Sequence, residues 1–466
     1  MRLYNTLGRE LQEFKPISDS EVKLYTCGPT VYSYYHVGNL RNAIFNDTLR
    51  RTLQVCGYNV KHVMNITDVG HLVSDADEGE DKLEKGAKSE SKTVQEVANF
   101  YTEAFIRDMK ALNVLQPNGY EGPSGPYARA TDFIDQQIEI IKILLEKEFA
   151  YQEQQAIYFD VSKLPSYGEL TGQSLTEKEE AARSEVVTDE QKRNPQDFAL
   201  WFFTVGRFSE HNLRWPSPWG EGFPGWHLEC SAIIHATLGE PIDIHTGGVD
   251  HIGTHHPNEM AQTEAAFGHK LANYWLHNEH MLIDGQKMSK SLGNSYTLEE
   301  VVQKGHDPIA LRLLYLQAHY RTQMNFTWES LEAAGQNLVS LRAWADLVHQ
   351  QNKLVPIDPA QSIRLLEEIK AGLEDDLNTA RGLAQLNEFI DKVAPDFDLL
   401  KQLDDIFGLG LAQREDITSE QKHLIEKRES ARKVQDWQQA DSLREELLAQ
   451  GIEINDTSGG SIWQRN

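Results

Sequence analysis

Two short segments carry residue types suited to handling phosphate. His36-Val37-Gly38-Asn39 follows Thr26-Cys27-Gly28-Pro29-Thr30 at the point where a helix is expected to begin. Backbone N–H groups and the positive end of a helix dipole collect there, which suits an anion such as the phosphates of ATP. His36 and Asn39 can donate hydrogen bonds to phosphate oxygens as charge shifts during a displacement. The second segment is Lys287-Met288-Ser289-Lys290-Ser291, which follows Asp284-Gly285, a strong hairpin-turn signal. Two lysines on a loop beyond a hairpin can clamp a polyphosphate and neutralise it as it leaves. Each segment has a bland alternative: a four-residue match is weak alone, and a loop with lysines is commonly just solvated.

A second group of residues suits a soft metal. The chain has three cysteines, Cys27, Cys56 and Cys230, too few and too odd a number for a disulfide framework. Cys27 lies at the mouth of the first expected strand, and Cys230 ends Gly225-Trp226-His227-Leu228-Glu229-Cys230. Neither belongs to a CxxC pair, so spacing alone makes no metal site, and each cysteine by itself reads as a small buried residue. His255-His256-Pro257-Asn258-Glu259 follows a strand and its glycine turn, and strand ends of that kind line a ligand crevice, so Cys27 and the 255–259 segment can face each other. Cys56 reads as buried on an apolar helix.

These residues need elements to hold them. Val22 to Thr26 reads as a strand, Leu40, Ile44, Leu49 and Leu53 recur at helical spacing, and Tyr58 to Ile66 is rich in β-formers, which makes one β-α-β unit. A second unit lies far downstream, with strands at Ile242 to His245 and Tyr274 to His277 around a helix from Glu259 to Phe267. Between them come a helical stretch from Ile134 to Leu145, a strand from Ala156 to Val161 and a polar run from Thr176 to Gln196. From about Asp307 the pattern is almost wholly helical, and it ends in a charged helical hairpin and a turn-rich tail.

His36 to Asn39 resembles the HIGH signature, and Lys287 to Ser291 spells the KMSKS signature, of class I aminoacyl-tRNA synthetases, in matching order and separation. Cys27 to Tyr32, Gly225 to Cys230 and the His-His-x-Asn-Glu element together resemble the cysteinyl-tRNA synthetase family over nearly the whole chain. The resemblance implies an α/β fold: a split Rossmann-type nucleotide-binding domain with an inserted connective domain, then an all-α helical bundle and a small terminal module. It divides the chain into 1–112 and 196–280 as halves of the catalytic domain, 113–195 as the insertion, 281–325 as the KMSKS loop and stem-contact region, 326–410 as the bundle and 411–466 as an anticodon-recognition module.

By the same resemblance, Cys27, Cys230, His255 and Glu259 hold one zinc ion, and a substrate cysteine thiolate completes its coordination. His36, Asn39, Lys287 and Lys290 carry the catalysis; Gly28, Thr30, Gly38, Thr67, Trp226, Gly248 and Asp250 line the sites for cysteine and for ATP, which comes with Mg2+. Serine differs from cysteine by O for S, and ordinary side chains separate such isosteres poorly, whereas zinc prefers a soft thiolate. Three features depart from the family pattern. Pro257 stands where glutamate is common and suits the first turn of a helix that leaves His255 just outside it; Thr246 replaces a common glycine; and an acidic insertion over about residues 70 to 90 follows Asn65-Ile66-Thr67-Asp68.

The net charge of −26 opposes a polyanionic partner, so RNA must meet a local basic face. From Leu411 onward there are 8 Lys or Arg and 11 Asp or Glu, so the tail offers no basic excess. Its resemblance to the family's terminal module nevertheless implies a cysteine tRNA as partner, read by shape and stacking. Trp463 and Arg465 are the candidates for contacting anticodon bases, with helix packing an equal alternative for Trp463. No apolar run suits a signal peptide or a membrane span, so a cytoplasmic monomer without membrane contact is expected. The nearest rival is a cysteine ligase acting on a small-molecule amine, which lacks a matching terminal module. A synthetase-like protein that has lost catalysis has no need to keep both signatures and four zinc-ligand types.

Overall fold

Val22, Leu24, Tyr25 and Thr26 are all buried, the pattern of a parallel strand covered on both faces. In the computed structural model, which describes residues 1–72, 81–172, 191–289, 292–350, 359–390, 392–457 and 460–465, this strand is central to a five-stranded parallel sheet. The strand order is Ala272–Asn278, Ile242–Gly248, Val22–Thr26, Val60–Ile66 and Ala128–Arg129. The first half of the chain builds to one side of Val22–Thr26 and the later half to the other. Thr26 pairs with Met64 on one flank and with Thr246 on the other, so the carboxyl ends of three strands finish together. A ligand crevice belongs at such a switch point.

The helix Val37–Val55 crosses this sheet and is buried nearly all round, including Arg41, Arg50 and Arg51. Its apolar periodicity concealed that second set of contacts. Arg41 donates to the carbonyl oxygens of Glu279 at 2.9 Å and Thr322 at 2.7 Å, and Arg51 Nε donates to Asp47 Oδ2 at 2.7 Å. Arg41 and Arg51 thus have partners for their buried charge, as burial requires.

A four-stranded antiparallel sheet, Ala150–Gln152, Ala156–Phe159, Phe198–Phe203 and Gly222–Pro224, shares a core with the helix Ile134–Glu146. The expected domain boundary at 195/196 runs between strands of this one sheet. Residues 173–190, most of the polar run, lie outside the described residues.

The chain divides into two compact units, the first made of Met1–Leu282, Gln286–Leu298 and Tyr320–Met324, the second of the remaining segments through Asn466. The second unit is helical, with Pro308–Leu316, Trp328–Asp346, Pro359–Glu374, Thr379–Ile390 and Phe397–Phe407. Within it Arg312 is fully buried and donates from Nε to the Phe407 carbonyl at 2.6 Å. The unit ends in the helical hairpin Ser419–Lys433 and Trp437–Ala449 and a strand pair, Ile452–Thr457 with Gly460–Arg465. Among the described residues no helix is long and apolar enough to cross a membrane.

Candidate active site and metal centre

The sheet's carboxyl edge opens into a cavity of about 850 Å³ lined by Cys27, Gly28, Thr30, His36, Gly38, Asn39, Thr67, Trp226, Gly248, Asp250, His255 and Lys287, all within the first unit. His36 is the N-cap of Val37–Val55, and its Nδ1 accepts from the Asn39 amide at 3.2 Å. That bond assigns the ring proton to Nε2 and makes the imidazole a donor. Gly28 donates its amide to Asn65 Oδ1 at 2.8 Å, and a Cβ on Gly28 would fall 1.9 Å from the Asn65 carbonyl oxygen. A Cβ on Gly248 would meet Asp250 Oδ1 at 2.3 Å, so a bare backbone leaves Asp250 its place on the rim.

Asp284 and Gly285 have φ of 50° and 76°, as a two-residue hairpin turn requires, and Lys287 follows in the short strand Gln286–Lys287. Asn294 holds the next loop by accepting from the Ser289 amide at 2.7 Å and donating to the Lys287 carbonyl at 3.2 Å. Lys290 lies outside the described residues.

Cys27 leaves the end of Val22–Thr26, Cys230 sits on the helix Trp226–Thr237, and His255 and Glu259 lie four residues apart on one face of the helix His255–Phe267. All four side chains are buried, with their ligand atoms within 4.8 Å of one another. Cys230 Sγ is 3.6 Å from His255 Nε2, and His255 Nε2 is 3.1 Å from Glu259 Oε1. A tetrahedral zinc with ordinary bond lengths needs S–N and N–O edges of about 3.4 to 3.6 Å. Glu259 Oε2 is held by His245 Nε2 at 2.8 Å, whereas Oε1 has no hydrogen-bond partner among the described residues. A buried carboxylate oxygen aimed at two thiols and an imidazole fits a cation. Burial pushes the Cys230 thiol well above its usual range, while for Cys27 the cost of burial is outweighed by hydrogen bonds with Cys230 and the surrounding histidines, which hold it well below.

The helix begins two residues earlier than a proline at its first position would place it. Thr254 is its N-cap, so His255 is the first helical residue rather than one just outside, with Pro257 tolerated within the first turn. Thr246 uses its added hydroxyl to donate to Asn46 Oδ1 at 2.7 Å.

Several site residues went unread in the sequence because they are dispersed along it. Cys27, His245, His256 and Glu259 form a second ligand-like set that shares two members with the first. Here His256 Nε2 lies 3.5 Å from Cys27 Sγ, and His256 Nδ1 meets His277 Nε2 at 2.8 Å. Burial pushes His256 well below its usual range and His277 down to about 3, so both rings are neutral supports for the thiolate. Trp226 is stacked between His71 at 4.0 Å and His255 at 4.2 Å. His71 is fixed by Thr30 Oγ1 at 2.7 Å and Lys82 Nζ at 2.5 Å. Thr67 donates to Glu229 Oε2 at 2.7 Å, and burial raises that carboxyl well above its usual range. Of the acidic insertion, residues 73–80 lie outside the described residues, but Leu72 and Asp81 pair as a bridge, which returns Lys82 to the cavity wall.

Residues 13–336 match the family profile described as the class I (C) tRNA synthetase catalytic domain. The chain is 40% identical to the cysteine–tRNA ligase of Treponema denticola, covering 100% of this chain and 99% of the relative, and 42% identical to cysteine–tRNA ligase 1 of Burkholderia lata, covering 99% and 96%. This chain belongs to the cysteinyl-tRNA synthetase family. Solved structures agree in fold: a Mycobacterium tuberculosis methionyl-tRNA synthetase bound to methionyl-adenylate aligns at TM-score 0.58 with 14% identity, covering 84% of this chain and 89% of that one. The LeuRS of an Agrobacterium radiobacter ternary complex aligns at 0.60 with 11% identity, covering 86% and 85%.

Because the cysteinyl-tRNA synthetase relatives span the whole chain, the likeness includes the terminal module. There Trp463 takes the packing alternative of the two readings. The indole is 5% exposed and packs with Ile417, Leu424, Leu447 and Ile454, while its backbone exchanges hydrogen bonds with the Gln350 side chain at 2.8 and 2.9 Å. It has no face to offer a base. Arg465 bonds Asp346 Oδ1 at 3.1 Å and lies over the Trp463 ring, which ties it into the same structure. Trp437, 57% exposed at the start of its helix, is the tryptophan of this module that presents a ring to solvent.

Proposed function

We propose that the chain is a cytoplasmic, monomeric enzyme that activates L-cysteine with ATP, releasing pyrophosphate, and transfers cysteine from the adenylate to the 3′ end of its tRNA. Besides family membership, the observation that carries this reading is the buried pair of thiols with one imidazole and one carboxylate, reached from the cavity whose rim holds His36 and Lys287.

Cys27, Cys230, His255 and Glu259 are the residues that would hold Zn2+. When bound there, zinc supplies a Lewis acid that takes a thiolate in preference to a hydroxyl. The protein's own groups do the rest. Trp226 and Thr67 bound the space in front of the cluster and orient the amino acid, so that its carboxylate faces the α-phosphorus of ATP. Asp250 is placed to accept from the ribose, and Gly28, Thr30, Gly38 and Gly248 let the nucleotide approach the backbone closely. His36 donates from Nε2 to phosphate oxygens, with Asn39 beside it. Lys287, joined by Lys290 and by the Mg2+ that accompanies ATP, offsets the charge of the departing pyrophosphate. For the tRNA, Trp437 replaces Trp463 as the stacking candidate.

A ligase that couples cysteine to a small amine would share the adenylate step. The terminal module, matched along with the rest of the chain by tRNA ligases, weighs against it. Incubation with radiolabelled cysteine, ATP and either cysteine tRNA or an amino sugar separates the two: label appears in acid-precipitable RNA on this reading, and label transferred to the sugar alone contradicts it.

A further inference from the structure

We propose that the helix Lys82–Glu90, with Tyr34 and Phe100 beside it, receives the unpaired 3′-terminal strand of the tRNA as that strand enters the cavity. The inference rests on the tRNA-ligase reading above.

A chain with a net charge of −26 must meet RNA through a local basic face. Lys82, Lys85 and Lys88 recur every third residue on this helix, which at about 100° per residue places them within an arc of about 120°. Leu83, Glu84 and Ala87 are buried on the opposite side. Lys85 and Lys88 are exposed, and Lys82 lines the cavity, so the basic stripe runs from solvent to the site. The helix lies along the chain beside His36: a Cβ on Gly86 would come 3.6 Å from the Tyr32 carbonyl oxygen.

An aromatic surface adjoins the stripe. Tyr34 lines the cavity, is 36% exposed, and meets Phe100 and Tyr101 edge-on at 6.0 and 5.1 Å. Phe100 is 38% exposed, with Lys92 Nζ 4.6 Å from its ring centre. Glu90, an acidic side chain within the patch, is engaged by Lys92 at 2.8 Å and by the Tyr101 hydroxyl at 2.6 Å, and Glu96, one helical turn before Phe100, accepts from the Thr93 hydroxyl at 2.8 Å. Lysines that follow a backbone beside exposed rings are what a single strand uses, its phosphates meeting the cations and its bases the rings. A duplex keeps its bases stacked and offers the rings nothing. The only such strand a tRNA need bring to this cavity is its 3′ terminus.

The test is binding of a cysteine tRNA transcript to the full chain across a salt series. Replacing both Lys85→Ala and Lys88→Ala should weaken binding about fivefold per lysine at 0.1 M salt and lower the slope of log affinity against log salt by about 1.4. Phe100→Ala should weaken binding and leave the slope unchanged. A transcript without its unpaired 3′ nucleotides should bind the wild-type protein more weakly than the double variant binds the full transcript, since it loses the ring contacts as well, with no added loss in the double variant. The same lysine penalty on full and shortened transcripts, or unchanged binding, overturns the proposal. So does a lowered rate of cysteine-dependent pyrophosphate exchange in the double variant without tRNA, because the stripe then serves ATP. Binding requires no chemistry, so wild-type protein that shows the expected binding pattern yet activates no cysteine would contradict the enzymatic reading and leave this surface standing.

Discussion

The indole of Trp226 stacks on the imidazole of His255, ring centres 4.2 Å apart and planes 18° from parallel. A proposed pocket residue therefore rests on a proposed metal ligand, and His71 closes the other face at 4.0 Å. Trp226→Ala removes the middle of this stack and should raise the KM for cysteine about tenfold, the scale of a lost aromatic contact, with a smaller effect on the KM for ATP. Steady-state pyrophosphate exchange separates the two; an unchanged cysteine KM would show that the indole is only core.

The donor set predicts one tightly held zinc per chain. Purified protein should contain one equivalent by elemental analysis, and Cys230→Ser or Glu259→Gln should lower it, since each removes a ligand from a buried site. Full zinc content in both variants would place the ion elsewhere.

Lys287→Ala should depress cysteinyl-adenylate formation by about 100-fold or more, in single-turnover measurements with saturating ATP, because it removes charge where charge develops. A rate within a few-fold of wild type would remove Lys287 from the chemistry.

Gly28→Ala puts a methyl 1.9 Å from a backbone oxygen at the tip of the central strand. Neither backbone can yield cheaply, so a loss of about 1 to 3 kcal/mol is expected, together with lost activity. The shift in the first unfolding transition measures it, and wild-type stability would show that the strand tip relaxes freely.

At the terminal module, hydrogen bonds from Arg428, at 2.8 and 2.9 Å, hold the Asp456 carboxyl well below its usual range. A depressed acid stabilises the fold fully above its unfolded value of about 4, and that contribution fades as pH falls toward the folded value. Melting temperature measured from pH 6 down to pH 3 should therefore fall more steeply for wild type than for Asp456→Asn, which has no proton to take up there. Parallel curves would show that the ion pair contributes nothing.

What the sequence made legible followed from strong local signals. Val22–Thr26 was readable because Val22, Leu24, Tyr25 and Thr26 suit a buried strand, and the helix from Ile134 because its apolar spacing is regular. The cluster of Cys27, Cys230, His255 and Glu259 was legible through resemblance, not spacing: Cys27 and Cys230 lie about 200 residues apart and meet only when the two halves of the sheet join. His71, Lys82, His245, His256 and His277 carried no local signal, since each owes its role to a partner distant in sequence or, for Lys82, to a bridge that closes over the insertion. The sequence leaves Trp463 open because a tryptophan of this kind reads equally as a stacking platform or as core, and only the packing of Ile417, Leu447 and Ile454 around it decides.

On the proposed reading, this chain activates cysteine and selects it through a metal held by Cys27, Cys230, His255 and Glu259. Pyrophosphate exchange into ATP, run with each of the twenty amino acids on zinc-replete and zinc-stripped protein, tests it most directly. Exchange is expected with cysteine and not serine, lost on stripping and restored by added zinc. Exchange driven by another amino acid, or cysteine exchange indifferent to zinc, would contradict it.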